Sequence, residues 1–115
     1  MKLEKFEEFL PMSNGATLAG TVPCSSAAPA IASDARTSVF IALSNPSNSQ
    51  SVKYTVYHFQ TGDVVKRGTL GAGGSDGFTI PATDNPQIIR IQNQSDCDIS
   101  KITPSLTYAV SIQTA

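Results

Sequence analysis

From residue 37 onward, apolar and polar residues alternate with a period of two, a pattern that predicts β-strands. In the clearest run, residues 106–112, apolar side chains take one face and small or polar side chains take the other. Glycine, proline, asparagine and aspartate separate the runs, as is typical of short turns. One such turn, residues 61–63, closes a predicted hairpin and places Gly62 where a positive φ is needed.

The number and length of these runs predict the fold class. Two weaker segments, residues 16–22 and 99–103, bring the total to seven or eight short strands. A chain of 115 residues has room for one core of this kind. We therefore predict an all-β domain, an antiparallel two-sheet sandwich of jelly-roll or Ig-like type with an N-terminal extension.

The first ten residues follow a different pattern. Leu3, Phe6, Phe9 and Leu10 recur at helical spacing and are interrupted by glutamates, which is not the pattern of a secretory signal or a transmembrane span. A short amphipathic helix that ends at Pro11 is predicted. Because a helix of this length is not stable alone in water, we expect its apolar face to dock against this chain or another.

The domain organisation predicted from these patterns has three parts. Residues 1–15 form the amphipathic segment, and residues 16–36 form a flexible connector rich in serine, alanine and proline. Residues 37–115 form the β-sandwich. The connector carries Cys24, whereas the second cysteine, Cys97, lies in a polar turn near the end of the sandwich.

The two cysteines allow three interpretations, because spacing does not determine connectivity. Cys24 on a mobile arm can bond to Cys97 of another copy, which would link subunits covalently. The two can also form one intramolecular bridge that pins the arm to its own body. Finally, both can be free thiols.

The amount and distribution of charge limit the classes of binding partner. Charged residues make up 15% of the chain, below the average for soluble domains, and the net charge is −1. The lysines and arginines are scattered, and the one adjacent pair, Lys66 and Arg67, points to opposite faces of a predicted edge strand. We therefore expect no nucleic-acid partner and no membrane partner.

Catalytic and metal motifs are not evident. His58 is the only histidine and has no carboxylate or thiol at ligand spacing, so no metal site is predicted. The glycine-rich stretch 71–77 lacks the lysine of a phosphate loop. We expect neither an enzyme nor a cofactor. Carbohydrate binding is an alternative, provided that Tyr57 and Phe59 form an exposed flat platform.

Self-assembly accounts for more features of this sequence than carbohydrate binding does. The open edges of a sandwich with few charges can pair with strands of a neighbouring copy. The segments 38–45, 52–57, 68–75, 78–80 and 106–112 resemble, in order and turn composition, the jelly-roll subunits of bacterial endospore appendages, the Ena family. Subunits of that family are similar in length and carry an N-terminal connector with cysteine. They are made inside the mother cell without a signal peptide.

The resemblance implies a self-assembling fibre in which the connector of one subunit enters a neighbour and is locked there by disulfide. Cys24 matches the connector cysteine and Cys97 a body cysteine, so the two would form an intersubunit bridge. The better-known members have a paired Cys-Cys in the connector, whereas this chain has one cysteine in each part. That difference suits a thinner, ring-stacked variant.

The sequence thus predicts a structural subunit of a filament on the spore surface or outside the cell. Its partners are copies of itself and, in addition, a possible tip or anchor protein. The alternatives are a viral capsid or tail protein, which uses the same sandwich, and a carbohydrate-binding module.

Overall fold

The structure, a computed structural model, describes residues 9–12, 17–97 and 105–114. These residues contain ten strands and no helix. The strands are β1 Phe9–Met12, β2 Thr17–Val22, β3 Ser26–Ala27, β4 Ala30–Ser33, β5 Thr37–Ser44, β6 Val52–His58, β7 Val64–Leu70, β8 Ser75–Ile80, β9 Gln87–Asn93 and β10 Leu106–Thr114.

The strands form two sheets that pack face to face. Sheet A has the order β1-β4-β9-β6-β7, with β3 beside β9, and sheet B has the order β2-β10-β5-β8. All pairs are antiparallel except β1 with β4. From β4 onward, consecutive strands lie in different sheets except in the β6–β7 hairpin of sheet A, which gives a jelly-roll arrangement. The predicted all-β antiparallel sandwich is therefore confirmed.

The core forms where the inward faces of both sheets meet, because alternation places every second side chain there. Along β9 the alternation is complete, with each odd-numbered residue buried. The predicted apolar face of residues 106–112 is likewise buried. The largest fully buried side chains are Ile31, Ile41, Leu43, Ile89, Ile91, Leu106, Ile112, Val22, Val39, Val52, Val56 and Val110.

The predicted flexible connector, residues 16–36, is corrected by the structure. Most of it forms β2 of sheet B and the strands β3 and β4 of sheet A. Val22 and Ile31 have 0% exposure and belong to the same core as the later strands. The small alanine and serine side chains of this stretch resemble linker composition, but they also pack between sheets. Its weak strand prediction, residues 16–22, is confirmed as β2.

The helix prediction for the N-terminal segment is wrong where the structure describes it. Phe9 and Leu10 lie in β1 and pair in parallel with Ala30 and Ile31 of the same chain. Pro11 lies within this strand, which is tolerated because β1 is an edge strand and need not donate on its outer side. The other predicted docking residues, Leu3 and Phe6, and the weak strand prediction at 99–103 lie outside the described residues.

In two turns a single residue supplies what the turn needs, a positive φ in one and a hydrogen-bond donor in the other. Gly62, in the β6–β7 turn, has a φ of 81°, which confirms the predicted use of glycine there. Asn45 is 1% exposed and follows β5. Its amide donates to the carbonyls of Gln50, Leu70 and Gly71 at 2.6, 3.1 and 3.1 Å. This side chain fastens the end of a sheet B strand to the end of β7 in sheet A.

Candidate functional site

The two cysteines form one disulfide within the chain. Cys24 lies in the turn between β2 and β3, and Cys97 follows β9, with a Cα–Cα distance of 5.3 Å. The register explains the proximity: Ser26 pairs with Asn93, so the antiparallel ladder brings the residues just before β3 next to those just after β9. The backbone N–H of Ser25 donates to the carbonyl of Ser95 at 2.8 Å beside the bridge.

The predicted intersubunit disulfide between Cys24 and Cys97 is therefore corrected. Both sulfurs are used within one chain, and no free cysteine remains. The intramolecular alternative is the one observed. Its effect is to tie the end of β2 in sheet B to the end of β9 in sheet A. Disulfides are typical of proteins in oxidising environments outside the reducing cytosol.

Sheet B has two open edges among the described strands. Its outermost strands are β2 and β8, and each pairs with one neighbour only among the described strands. β2, Thr17–Val22, contains no charged residue and no proline. Natural sandwiches protect edge strands with charge, proline, a bulge or a covering element. β2 has neither of the first two.

The single charged residue of β8 is turned inward. Asp76 accepts a hydrogen bond from the Tyr54 hydroxyl at 2.6 Å and forms an ion pair with Lys66 Nζ at 3.1 Å. Lys66 Nζ also lies 5.1 Å from the centre of the Phe78 ring. Asp76 is thus engaged with side chains of sheet A. The outward residues of β8, Ser75, Gly77 and Thr79, are uncharged.

This cluster has the electrostatics of a partly buried ion pair. Burial, assisted by the hydrogen bond to Asp76 and its negative charge, raises the pKa of Tyr54 well above its ordinary value. The hydrogen bond from Tyr54, with help from Lys66, lowers the pKa of Asp76 below its ordinary value of 3.8. Gly68 on β7 leaves room for the tyrosine, because a Cβ there would lie 3.1 Å from its hydroxyl.

The outer face of sheet B is uncharged from edge to edge. The cross-strand row of Ala19, Ala109, Ala42 and Gly77 runs through all four strands. It floors a shallow recess of about 430 Å³. The other outward residues are Thr17, Thr21, Ser38, Phe40, Ser44, Ser75, Thr79, Thr107, Ser111 and Gln113. Among the aromatic residues whose side chains the structure describes, Phe40 is the most exposed, at 42%.

Unlike the edges of sheet B, the edges of sheet A carry residues that hinder the addition of another strand. Its β1 edge contains Pro11, and its β7 edge contains Lys66 and Arg67. These two side chains lie on opposite faces, as predicted: Lys66 turns inward to Asp76, and Arg67 turns outward. A register shift between Val56 and Tyr57 adds an irregularity at the β6–β7 ladder. Charge, proline and bulges all hinder strand addition.

The remaining predicted residues lie apart from these edges. His58 is half-buried at the end of β6, where its backbone closes the turn with Asp63 and Gly62. The described ranges hold no group of three or more metal-ligating side chains. Tyr57 and Phe59 are both half-buried, and the Arg90 guanidinium lies 4.5 Å from the centre of the Phe59 ring. The open aromatic platform required by the carbohydrate alternative is not formed at Phe59.

Sequence reasoning identified the open edges in general but not the strands that carry them. The absence of charge in residues 17–22 was the available signal. No sequence pattern indicates the Tyr54–Asp76–Lys66 cluster, because its members come from three strands of two sheets. Over the described part of the chain, no helical segment is long and apolar enough to span a bilayer.

Comparisons with known proteins give a likeness of fold. No protein-family model and no curated protein sequence matches the chain. It is similar to the pre-peptidase C-terminal domain of collagenase from Bacillus anthracis, with a TM-score of 0.51 and 10% identity over 91% of this chain and 94% of that one.

Two further solved structures match with lower TM-scores. They are the periplasmic inhibitor of g-type lysozyme, PliG, from Aeromonas hydrophila (TM-score 0.46, 17% identity, 91% of this chain and 96% of that one) and PirA (TM-score 0.41, 15% identity, 84% and 91%). At such identities the likeness to the collagenase domain supports a shared β-domain fold and says nothing of function.

Proposed function

We propose that this protein is a non-enzymatic structural subunit that assembles with copies of itself, through the edges of sheet B, into a filament on the spore surface or outside the cell. The observation that carries the proposal is the pair of open edges: β2 lacks charge and proline, and β8 presents only uncharged residues outward. Both strands have six residues, so neither edge is longer than the other.

Strand direction makes the two edges compatible. β2 is antiparallel to β10, β10 to β5 and β5 to β8, so β2 and β8 run in opposite directions. When two copies stand side by side in the same orientation, β8 of one is therefore antiparallel to β2 of the next. The alternation of the sheet continues across the contact without inverting either copy.

Such a contact uses two different surfaces of the same protein. A head-to-tail contact of this kind generates a ring if the rotation closes and an open helical filament if it does not. The twist of the sheet supplies a rotation between successive copies. The resemblance to endospore appendage subunits supports the same kind of assembly, while the disulfide fits an oxidising location.

The proposal differs in two respects from the fibre that the resemblance implies. Covalent linkage between subunits is not part of it, since Cys24 and Cys97 are bonded to each other within the chain. Connector insertion has a smaller role, because residues 17–33 largely belong to the chain's own sheets and β1 pairs with its own β4. Backbone pairing between sheet edges is the proposed link.

Charged substitutions on the two edges test this link. Thr17 on β2 and Thr79 on β8 are both exposed on the outer face of sheet B, and they lie in the same cross-strand row, which passes through Ser111 and Phe40. In the variant Thr17→Lys/Thr79→Lys, positive charges meet across each contact, and we expect filaments to be lost in negative-stain images and light scattering. In Thr17→Glu/Thr79→Lys the facing charges are opposite, so assembly should be restored.

The matched control is Thr69→Lys, which places the same side chain on the exposed outer face of β7 in sheet A. We expect it to assemble as the wild type does, with an unchanged circular dichroism spectrum. A wild-type protein that stays monomeric at high concentration would contradict the proposal, as would equal loss of assembly in Thr69→Lys. Closed particles of uniform size in place of filaments would favour the capsid alternative.

A further inference from the structure

The outer face of sheet A gathers positive charge that is scattered in the sequence. Five lysines and arginines occur in the described residues, and three of them, Lys53, Arg67 and Arg90, project from this face. We call these three side chains the cationic face. Their strands β6, β7 and β9 are neighbours in sheet A, although the residues span 38 positions in sequence, from 53 to 90.

The register fixes their arrangement. Thr55 of β6 pairs with Arg67 on one side and Gln92 on the other, and Tyr57 pairs with Arg90. Arg67 and Arg90 therefore flank β6 from its two sides, two strand spacings across and two residues along the sheet, which is about 12 Å between their Cα atoms. Lys53 lies on the same side of β6, two residues before Thr55.

None of the described aspartates projects from the strands of this face or forms an ion pair with its three cations. These five aspartates lie in loops and turns or, in the case of Asp76, face the interior of the sandwich. Lys53 and Arg67 are exposed. The neighbouring outward side chains Thr69, Gln92 and Gln94 are neutral, and they offer hydroxyl and amide groups for hydrogen bonds.

Arg90 is held in a fixed position within this face. Its guanidinium lies 4.5 Å from the centre of the Phe59 ring, a cation–π distance. Its Nε is buried and has no hydrogen-bond acceptor in the part of the chain that the structure describes. A planar guanidinium that is already positioned loses less freedom when it binds a carboxylate as a fork.

We propose that the cationic face binds a linear polysaccharide that carries carboxylates. Charge complementarity requires an anionic partner, and the hydroxyl and amide groups between the cations suit the neutral hydroxyls of sugars. A single-stranded nucleic acid fits less well, because its bases need open aromatic rings. Here Tyr57 and Phe59 are half-buried, and the Phe59 ring is in contact with Arg90.

A galacturonate oligomer serves as the probe, with its methyl ester as the uncharged control of the same sugar backbone. Binding to the full chain is measured by isothermal calorimetry at low ionic strength. We expect the oligomer to bind and the ester not to bind. Arg67→Gln and Arg90→Gln should each weaken binding about tenfold, the effect of losing one charge-assisted contact.

The matched control variant is Arg36→Gln, which removes the same charge from an exposed loop residue outside the face. It should change affinity by less than about twofold, because an exposed charge away from the contact is screened. Equal weakening by Arg36→Gln would reduce the interaction to net charge and overturn the proposal. Absence of binding, equal binding of the ester, or tighter binding of oligo-deoxythymidine would also overturn it. Since Arg67 is exposed, its variant keeps the test valid if Arg90→Gln does not fold.

Discussion

Sheet A and sheet B enclose the same core but present different surfaces to the solvent. Sheet B is neutral across its outer face and ends in two strands whose outward residues are uncharged. Sheet A carries Lys53, Arg67 and Arg90 outward and has proline or charge at both edges. Uncharged edges suit hydrogen-bonded strand pairing and a cationic face suits an anionic ligand, so the two proposed roles fall on separate sheets.

The two sheets are also held together by specific links beyond the apolar core. The Cys24–Cys97 disulfide joins the end of β2 to the end of β9. Asn45 joins the end of β5 to the end of β7. The hydrogen bond from Tyr54 to Asp76 joins β6 to β8. If assembly loads sheet B, these links carry the load into sheet A, and each can be removed separately.

The largest effect is expected from the disulfide. The bridge closes a sequence separation of 73 residues, and the chain-entropy model assigns about 4 kcal/mol of unfolding free energy to a loop of that size. Cys24→Ser/Cys97→Ser should lower the free energy of unfolding by about that amount in urea titrations. The reduced wild type should match the double variant.

The pairing itself can be measured in a mixture of unlabelled and ¹⁵N-labelled protein. After assembly and digestion without reductant, mass spectrometry should find disulfide-linked peptides of uniform label only. Peptide pairs of mixed label would show bridges between copies and would restore the covalent fibre. An unreduced gel should correspondingly show monomers.

An intermediate effect is expected from Asn45→Ala. The substitution leaves the carbonyls of Gln50, Leu70 and Gly71 without their shared donor in a site that is 1% exposed. We expect a loss of about 2 kcal/mol in unfolding free energy. Asn48→Ala, an exposed asparagine in the same turn, is the matched control and should change stability little. Equal losses in both variants would argue against the role of Asn45 as a link between the sheets.

The smallest effect at neutral pH is expected from Asp76→Asn, about 1 kcal/mol, because its carboxylate is partly exposed and the pair with Lys66 is screened. Its pH dependence is more distinctive. The pKa of Asp76 is lowered in the fold, so its contribution is present above 3.8 and is lost as the pH falls below that value. In Asp76→Asn, the midpoint of urea unfolding should no longer show this loss of stability at acid pH.

At alkaline pH the sign is reversed. Burial raises the pKa of Tyr54 and of Tyr108, so the folded state retains their protons more strongly than the unfolded chain does. Stability should hold up to the ordinary tyrosine value of 10.0 and fall above it. Tyr54→Phe should reduce the fall more than Tyr108→Phe, since Tyr54 also faces the Asp76 carboxylate. An equal slope in the wild type and in both variants would contradict a role of the Tyr54–Asp76–Lys66 cluster in alkaline unfolding.

Local pattern was sufficient for most of the strands. The alternation in residues 106–112 and the turn glycine at 62 predicted β10 and the β6–β7 hairpin, because side-chain period and backbone φ are properties of neighbouring residues. The same reasoning failed for residues 16–36, where small side chains resemble a linker until two sheets close over them. It also failed for Phe9 and Leu10, whose helical spacing gave way to pairing with β4.

The sequence by itself determined the fold class, the inward faces of the strands and the low charge of the chain, since each follows from the order of residue types. Only the tertiary structure decided which cysteine meets which, that Lys53, Arg67 and Arg90 share one face, and that β2 and β8 are the edges of one sheet. These three depend on the order and register in which distant strands pair. That order is settled by burial of the whole core, which no local segment encodes.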